Sequence, residues 1–294
     1  MSVLTLRQLS RRCLGLLLLC LLAIGSLQAQ TPHVEVGTWN LEWFNSKSRG
    51  FPENTHGGPT YGPRDATALQ TIAYLIQKHG IDVLGLEEIE SEADLQALLA
   101  YLPGFEMYVV PDRANQHCAL IWDGKQVTAS IQPPLAALAI TPGCREGLYA
   151  RLCAGQFSFD YMVVHLANKD DQVARQTTLL SEWLHGYLPE SKPQDNDVLI
   201  AGDFNLTPAE SALQTLLSDP WLAWCWAGVT GAPPTRPVSR KTIDHLFMSW
   251  SAYTHQRLGD TQVPREDLEL GERYRELVSD HLPVIQSFRT DSDQ

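Results

Sequence analysis

The chain alternates between two patterns of hydrophobic and polar positions. Short apolar runs and stretches of alternating polarity predict strands. Stretches in which apolar residues recur every three to four positions predict helices, as at Leu69, Ile72, Ala73 and Ile76. We therefore predict strands at residues 33–43, 81–86, 105–110, 117–122, 127–131, 148–152, 157–166, 198–202, 243–248 and 284–288, and helices at 65–79, 91–101, 170–188 and 208–217.

The order of these elements indicates the fold class. Strands occur singly, in hairpin-like series and between helices, and no internal repeat or clean linker divides them. This mixture fits two mixed β-sheets packed face to face with helices outside, an α/β four-layer sandwich in one domain. Residues 45–63, 227–240 and 259–279 are polar and carry Gly and Pro, so we expect loops there.

Residues 1–29 have the pattern of a secretory signal peptide. Three arginines precede an apolar run at residues 14–24, which is shorter than the roughly 20 residues that a membrane helix needs. Leu27-Gln28-Ala29 suits a cleavage site. We therefore expect a mature domain of residues 30–294 that is secreted or periplasmic and has no stable membrane insertion.

The net charge argues against a broadly basic nucleic-acid-binding surface. The formal charge is −12, and residues 1–29 contribute three arginines and no acid, so residues 30–294 carry −15. A phosphate-handling protein of this charge needs a local basic patch or a bound cation. A pocket rich in carboxylates could hold that cation.

The cysteines leave the disulfide pattern open. Four remain after residues 1–29, and four cysteines allow three pairings. If residues 148–153 are extended, Cys144 and Cys153 lie too far apart for a short bridge, and Cys118 with either of them is easier. Cys225, between two tryptophans, has the surroundings of a buried thiol, and the sequence contains no C-x-x-C zinc spacing.

The stretch from Val198 to Asn205 combines a buried-strand pattern with polar residues at its end. Its apolar run predicts a strand buried on both faces. Asp203 and Asn205 are two residues apart, so they would point to one face, as suits a metal- or water-handling site. The alternative is a polar turn in which Asn205 or Thr207 caps the next helix.

Several other predicted strands carry a polar residue where their apolar run starts or stops. Each residue has a structural explanation by itself, as a bend, a cap or a buried polar group. The residues are Asn40, Glu87, Glu88, His165, Asp244, Asp280 and His281.

Taken together and in this order, the motifs resemble the endonuclease/exonuclease/phosphatase superfamily, the fold of pancreatic-type deoxyribonuclease, in a secreted bacterial-type form. Gly-Asp203-Phe-Asn205 and Ser-Asp280-His281 are the most specific matches, and the resemblance spans residues 34–288. It implies the four-layer sandwich and hydrolysis of phosphoesters. It also implies a divalent cation, with Mg²⁺ expected first and Mn²⁺ or Ca²⁺ as alternatives.

The resemblance implies metal ligands. Glu88 would be the principal ligand, with Asn40 beside it and Asp280 completing the shell. We assign the ligand to Glu88 because Glu87 stands where relatives often carry Gln. Arg145 resembles the family's arginine at the start of a strand and would grip a phosphate, with an ordinary surface arginine as the alternative.

The resemblance also implies catalytic roles. His281 would be a general base for the attacking water or an acid that contacts the phosphate, and Asp244 would hydrogen-bond it. Asp203 and Asn205 would orient the nucleophile or stabilise the transition state. His165 would contact a phosphate oxygen or protonate the leaving group.

Two further features concern substrate contacts. Arg236, Arg240 and Lys241 form a local basic cluster where a polyanion could dock, with a solvated loop as the alternative. The strand start Asn115-Gln-His117-Cys lacks the acid that pairs with the first histidine in pancreatic-type deoxyribonucleases. His165 therefore has no acidic partner visible in the sequence.

We expect a monomeric, secreted, divalent-metal-dependent phosphodiesterase that hydrolyses nucleic acid, DNA or RNA. One alternative is a phosphodiesterase or phosphatase for lipid head groups or small phosphate esters. The other is a catalytically silent binding module on the same fold. We also expect His281 and Asp244 to lie at a solvent-facing strand edge rather than in the core.

Overall fold

The computed structural model describes residues 32–45, 64–187, 197–224 and 233–291. The predicted signal peptide, the predicted loop after Asn45 and Cys225 lie outside the described residues. The strands are β1 His33–Phe44, β2 Val83–Ile89, β3 Phe105–Val109, β4 His117–Asp123, β5 Val127–Ile131, β6 Leu148–Ala154, β7 Phe157–His165, β8 Val198–Asp203, β9 Leu222–Trp224, β10 Asp244–Ser249, β11 Arg257–Gln262 and β12 Val284–Arg289. The helices are α1 Ala66–Lys78, α2 Glu92–Leu99, α3 Asp170–Tyr187, α4 Ser211–Leu217, α5 Glu266–Leu270 and α6 Glu272–Leu277.

The described strands form two mixed six-stranded sheets. Their orders are β11-β12-β1-β2-β4-β3 and β5-β6-β7-β8-β10-β9. In each sheet one pair of neighbours is parallel, β1 with β2 and β7 with β8, and the other neighbours are antiparallel. Helices pack around the sheets, so the predicted α/β sandwich is confirmed.

Apolar side chains fill three layers between these elements. The inner faces of the two sheets meet in one cluster that includes Val36, Leu120, Phe157, Leu199 and Phe288. A second cluster packs α1 and α2 against the first sheet, and a third packs α3 and α4 against the second sheet. Burial of these faces supplies the main driving force for the fold.

The prediction of a loop over residues 259–279 is wrong for the middle of this segment. The structure places the end of β11 there, and then α5 and α6, which Gly271 separates at φ 60°. The sequence there is mainly polar, yet Tyr274 and Val278 are 2% and 0% exposed and pack into the same cluster as α1. Two well-placed apolar residues thus anchor short helices that composition alone does not predict.

Two observations concern the cysteines and helices that the structure describes. Cys118, Cys144 and Cys153 are free thiols, so the described cysteines form no disulfide. Among the helices of the described residues, none has the length and apolar character needed to cross a membrane.

Candidate active site

Adjacent strands of the second sheet bring three of the predicted residues into one row. His165 and Asp203 pair as the last residues of parallel β7 and β8. Asp244 is the first residue of antiparallel β10 and pairs with Asp203 on the other side. Because paired residues on neighbouring strands lie side by side, the register alone places these side chains together.

The first sheet brings further predicted residues to the same place. Asn40 of β1 pairs with Glu87 of β2. Asp280 and His281 precede β12, which is the other neighbour of β1. The hydroxyl of Ser279 donates to the carbonyl oxygen of Asn40 at 2.6 Å, which ties the segment that carries His281 to the end of β1.

His281 and Asp244 form a buried hydrogen-bonded pair. Nδ1 of His281 lies 3.0 and 2.9 Å from Oδ1 and Oδ2 of Asp244, and the two residues are 4% and 0% exposed. The backbone carbonyl of His281 accepts hydrogen bonds from Nε1 of Trp39 and the hydroxyl of Tyr274. The expected solvent-facing position is therefore wrong, because buried Trp39 and Tyr274 pack against the segment that carries His281.

Carboxylates around His281 keep a proton on its ring. Burial lowers the pKa of His281, but Asp244 and Asp280 outweigh burial and raise this pKa well above its usual value. Oδ1 of Asp280 lies 3.7 Å from Nε2 of His281. The ring is therefore an imidazolium, with Nδ1 on Asp244 and Nε2 toward the cavity.

Asp203 and Asn205 meet through a turn rather than through strand alternation. β8 ends at Asp203, and Asn205 adopts a left-handed conformation with φ 52°. The backbone N–H of Asn205 donates to Oδ1 of Asp203 at 2.8 Å, and its side-chain amide donates to the carbonyl of Leu166 at 3.0 Å. Burial and the charge of Asp244 raise the pKa of Asp203 to about 7.

One carboxylate oxygen of Glu88 accepts two hydrogen bonds from neighbouring residues, and the other faces Asn40. Oε2 accepts hydrogen bonds from the backbone N–H of Trp43 and from Nε2 of Gln116, at 2.8 and 2.7 Å. Oε1 accepts from Nδ2 of Asn40 at 3.1 Å. The same Nδ2 donates to Asp203 at 3.0 Å, while Oδ1 of Asn40 accepts from a backbone N–H, so Asn40 links the two carboxylates as a donor.

Glu87 points away from this cavity into the protein. It is fully buried, and its Oε1 accepts a hydrogen bond from the hydroxyl of Thr38 at 2.6 Å. Its Oε2 has no hydrogen-bond partner among the described residues. Burial, together with Asp244 and Asp203, raises the pKa of Glu87 well above its usual value, which favours its protonated form.

His165 faces two carboxylates across the cavity. Its Nε2 lies 3.6 Å from Asp203 and 3.9 Å from Glu88, although the sequence showed no acidic partner. Its Nδ1 is buried without a hydrogen-bond partner in the part of the chain that the structure describes. Burial, followed by the charges of Arg145 and His281, lowers the pKa of His165 well below its usual value and keeps the ring neutral.

Asp280 is held by arginines. Oδ2 of Asp280 accepts hydrogen bonds from Nε and Nη2 of Arg236, the former at 2.9 Å, and Nη2 of Arg275 lies 3.8 Å away. Arg275 also bonds Oε1 of Glu42 at 2.7 Å. Burial raises the pKa of Asp280, but His281 and Arg236 outweigh it and lower this pKa. An oxygen held in this way is a poorer candidate for a metal than Glu88.

A cavity of about 460 Å³ opens above these residues. Its wall contains the cationic residues Arg145, Lys169, Arg236 and Arg275. Arg240 and Lys241, the other members of the predicted basic cluster, are exposed and do not line it. The anionic and imidazole residues of the wall are Glu42, Glu88, Asp203, Asp280, His165 and His281.

The donor set fits a divalent cation. Ligand atoms of Asp203, Asp244 and His281 lie within 4.8 Å of one another, but the protonated ring of His281 cannot ligate a metal, which leaves the carboxylate oxygens as donors. Oε1 of Glu88 faces the same amide nitrogen as Asp203 does. Hard cations prefer such oxygen ligands, and positive charge here would offset burial and the repulsion from Asp244, which raise the pKa of Asp203.

Sequence reasoning missed three residues of the site. Gln116 was named only as part of a strand start that lacks an acid, yet it bonds Glu88 directly. Arg275 and Glu42 form an ion pair in the cavity wall, across 233 positions in sequence. No local pattern indicates this pair, because it depends on the packing of α6 beside the end of β1.

Comparison with known proteins identifies a family. The model of the Endonuclease/Exonuclease/phosphatase family matches residues 37–281. Among curated proteins, no sequence match was found.

Solved structures share the fold at low identity. D. rerio TDP2 complexed with single strand DNA product has 18% identity, covers 88% of this chain and 99% of its own, and gives a TM-score of 0.62. The mannosyl-6-phosphatase of Bacteroides thetaiotaomicron has 16% identity, coverage of 87% and 99%, and a TM-score of 0.56. The human Nocturnin catalytic domain has 17% identity, coverage of 87% and 93%, and a TM-score of 0.59. The match over residues 37–281 shows that the chain belongs to the Endonuclease/Exonuclease/phosphatase family, as its motifs implied.

Proposed function

We propose that the chain is a divalent-metal-dependent phosphoester hydrolase that acts at the floor of this cavity. The observation that carries the proposal is the buried pair of Asp244 and His281, whose free Nε2 points toward Asp203 at 3.9 Å. A buried, oriented imidazole beside a second carboxylate suits proton transfer and phosphate binding. A catalytically silent module would have no need of this arrangement.

Asp203 is the group proposed to take the proton from the attacking water. Its carboxylate lies at the cavity wall, 3.6 Å from Nε2 of His165 and 3.9 Å from Nε2 of His281, where a general base could reach a bound water. His281 keeps its proton, so it contacts a phosphate oxygen as an imidazolium. Neutral His165 donates or accepts a hydrogen bond at Nε2 on the opposite side.

Glu88 is proposed to hold the divalent cation, which supplies positive charge to the phosphate oxygens when bound. Asn40 supports this position by donating to Glu88 and Asp203 rather than by offering its own oxygen. Mg²⁺ is our first candidate for the ion. Asp280 contributes by holding Arg236 in the cavity wall.

The proposed substrate is nucleic acid. The cationic side chains of the wall suit a phosphodiester, and TDP2, a structural neighbour, was solved with a single strand DNA product. Arg145, Arg236 and Arg275 provide planar donors for phosphate oxygens. The acidic chain makes this local cluster the place where a polyanion docks.

A second candidate is the hydrolysis of small phosphate esters. A neighbouring cavity, which shares Arg275 and Asp280 with the first, is lined by the carboxylates of Asp267, Glu272 and Glu276. A long polyanion that extended in this direction would meet like charge, whereas a small ester would not. A structural neighbour is a mannosyl-6-phosphatase.

The test is a panel assay of the purified chain. Plasmid DNA, single-stranded DNA, RNA, a sugar phosphate, sphingomyelin and a nitrophenyl phosphodiester are each incubated with Mg²⁺, Mn²⁺ and Ca²⁺. We expect cleavage of nucleic acid that the His281→Ala variant does not show. Hydrolysis of the sugar phosphate alone would favour the second candidate, and no hydrolysis of any substrate would contradict both.

Export and a monomeric state are also proposals. The charged segment, apolar run and Leu27-Gln28-Ala29 site support export. N-terminal sequencing of exported protein is expected to begin near Gln30, and an intact Met1 would contradict this. Size-exclusion chromatography with light scattering is expected to give one chain per particle.

A further inference from the structure

Gln116 joins Arg145 to Glu88 in a chain of side-chain hydrogen bonds. Nε2 of Gln116 donates to Oε2 of Glu88 at 2.7 Å, and Nη2 of Arg145 donates to Oε1 of Gln116. An arginine can only donate and a carboxylate can only accept, so the amide of Gln116 has one orientation that satisfies both neighbours. The chain is therefore directional, from Arg145 through Gln116 to Glu88.

Asp112 holds the two loops that carry Gln116 and Arg145. Its Oδ1 faces Nδ1 of His117 at 2.7 Å, and its Oδ2 accepts from the backbone N–H of Glu146 at 3.0 Å. The side chain of Asp112 is 3% exposed. His117 follows Gln116 in the sequence, and Glu146 follows Arg145. Asp112 therefore fixes the spacing between Gln116 and Arg145 before any ligand binds.

These contacts orient the side chain of Glu88, whose backbone is left-handed with φ 64°. Two donors, Gln116 and the backbone N–H of Trp43, occupy its Oε2. Oε1 is left toward Asn40 and the cavity. Residues that hold a metal ligand in place commonly set both its orientation and the affinity for the ion.

We propose that Gln116 and Arg145 are positioning residues that set the divalent-cation affinity of Glu88, with the effect of Arg145 transmitted through Gln116. The proposal rests on the proposed function in that Glu88 binds the cation. It gives Arg145 a role besides the phosphate contact predicted from sequence. Arg145 lines the cavity and is only partly buried, so a phosphate contact can coexist with this role.

The experiment measures Mn²⁺ binding to the substrate-free protein by isothermal titration calorimetry. We expect Gln116→Ala and Arg145→Ala each to raise the Kd for Mn²⁺ by about 10- to 100-fold, as for other residues that support a metal ligand. The double variant should bind no more weakly than Gln116→Ala. If Gln116→Ala does not fold, Gln116→Asn is measured in its place. The Asn side chain is too short to reach both neighbours, so the Kd for Mn²⁺ should also rise.

Matched controls keep the outcomes separate. Arg151→Ala and Gln132→Ala remove an arginine and a glutamine that lie outside the cavity, and we expect neither to change the Kd. If Glu88→Ala abolishes Mn²⁺ binding while Gln116→Ala leaves it unchanged, the positioning role is wrong and the proposed function stands. An unchanged Kd in Arg145→Ala with a raised KM would assign Arg145 to phosphate binding alone. Unchanged Mn²⁺ binding in Glu88→Ala would overturn the metal assignment itself.

Discussion

Nδ1 of His281 faces both carboxylate oxygens of Asp244, at 3.0 and 2.9 Å, with both residues buried. The two residues lie 37 positions apart, and they meet because the start of β10 and the segment before β12 lie side by side. Nδ1 of His281 is thereby hydrogen-bonded to Asp244, and Nε2 faces the cavity. The pair has one orientation in which it can act.

We predict that His281→Ala and Asp244→Asn each lower turnover at least about a hundred-fold, the typical cost of losing one donor that stabilises charge in the transition state. Because Asp244 acts by orienting and charging His281, the double variant should be little worse than His281→Ala. The measurement is a double-mutant cycle on initial rates, with circular dichroism and thermal melts as folding checks. Both residues are buried, so Asn, which keeps the shape of Asp, is the informative substitution.

His185→Ala serves as the control for this cycle, because His185 pairs with Asp219 outside the cavity. It should retain normal turnover. Losses that simply multiply in the double variant would show that Asp244 and His281 act independently. Near-normal turnover of His281→Ala would remove the proposed mechanism.

A second prediction separates the two adjacent glutamates. Glu88→Gln keeps the shape of the side chain but removes the charge that faces the cavity, so we expect turnover to fall by at least about a hundred-fold and Mn²⁺ binding to weaken. Glu87→Gln should keep most of the activity, because Glu87 is buried away from the cavity, bonded to Thr38 and has a raised pKa that favours its uncharged form. The comparison uses initial rates and Mn²⁺ titration of both variants. Equal losses would mean that the wrong carboxylate is assigned to the metal.

A third prediction concerns removal of the cation. After dialysis against EDTA, hydrolysis should be lost, and Mg²⁺ or Mn²⁺ should restore it. The far-ultraviolet circular dichroism spectrum should change little, because the sheets pack through apolar clusters and not through the site. Full hydrolysis after exhaustive dialysis would contradict the metal dependence.

The sequence predicted the parts of the structure that local patterns control. Buried strands such as β8 show as apolar runs, and polar residues at their ends, such as Asp203 and His165, converge because neighbouring strands share an edge. The helix predicted from residue 65 also starts there, since the side chain of Asp65 accepts a hydrogen bond from the N–H of Ala68. These features depend on few residues that lie close together in the chain.

Features that depend on distant contacts were not predictable in the same way. The helices α5 and α6 depend on burying Tyr274 and Val278 beside α1. The burial of His281 depends on Trp39 and Tyr274, which come from two other segments. The donor role of Asn40 depends on a backbone N–H that takes its oxygen. In each case the sequence supplies the residue type, and tertiary packing decides its role.

The last prediction concerns Gly202, the residue before Asp203 at the end of β8. Gly202 has φ 144°, and a Cβ atom there would lie 1.9 Å from the carbonyl oxygen of Val164 on the neighbouring strand. Gly202→Ala therefore combines an unfavourable backbone angle with a clash against main chain that cannot move freely. We expect the free energy of unfolding to fall by about 2–6 kcal/mol, the sum of typical costs for strain and overpacking.

The matched control is Gly186→Ala in α3, where an added Cβ meets nothing within 4 Å and alanine favours helix. Its stability should be unchanged or slightly raised. Urea denaturation of both variants gives the comparison, and initial rates of Gly202→Ala at a temperature where it is folded report on Asp203. Because Gly202 sets the spacing between β7 and β8, a displaced Asp203 should lower turnover even in folded protein. A Gly202→Ala variant as stable and active as the parent would show that the strand end can adjust without cost, against the close approach of Gly202 and Val164.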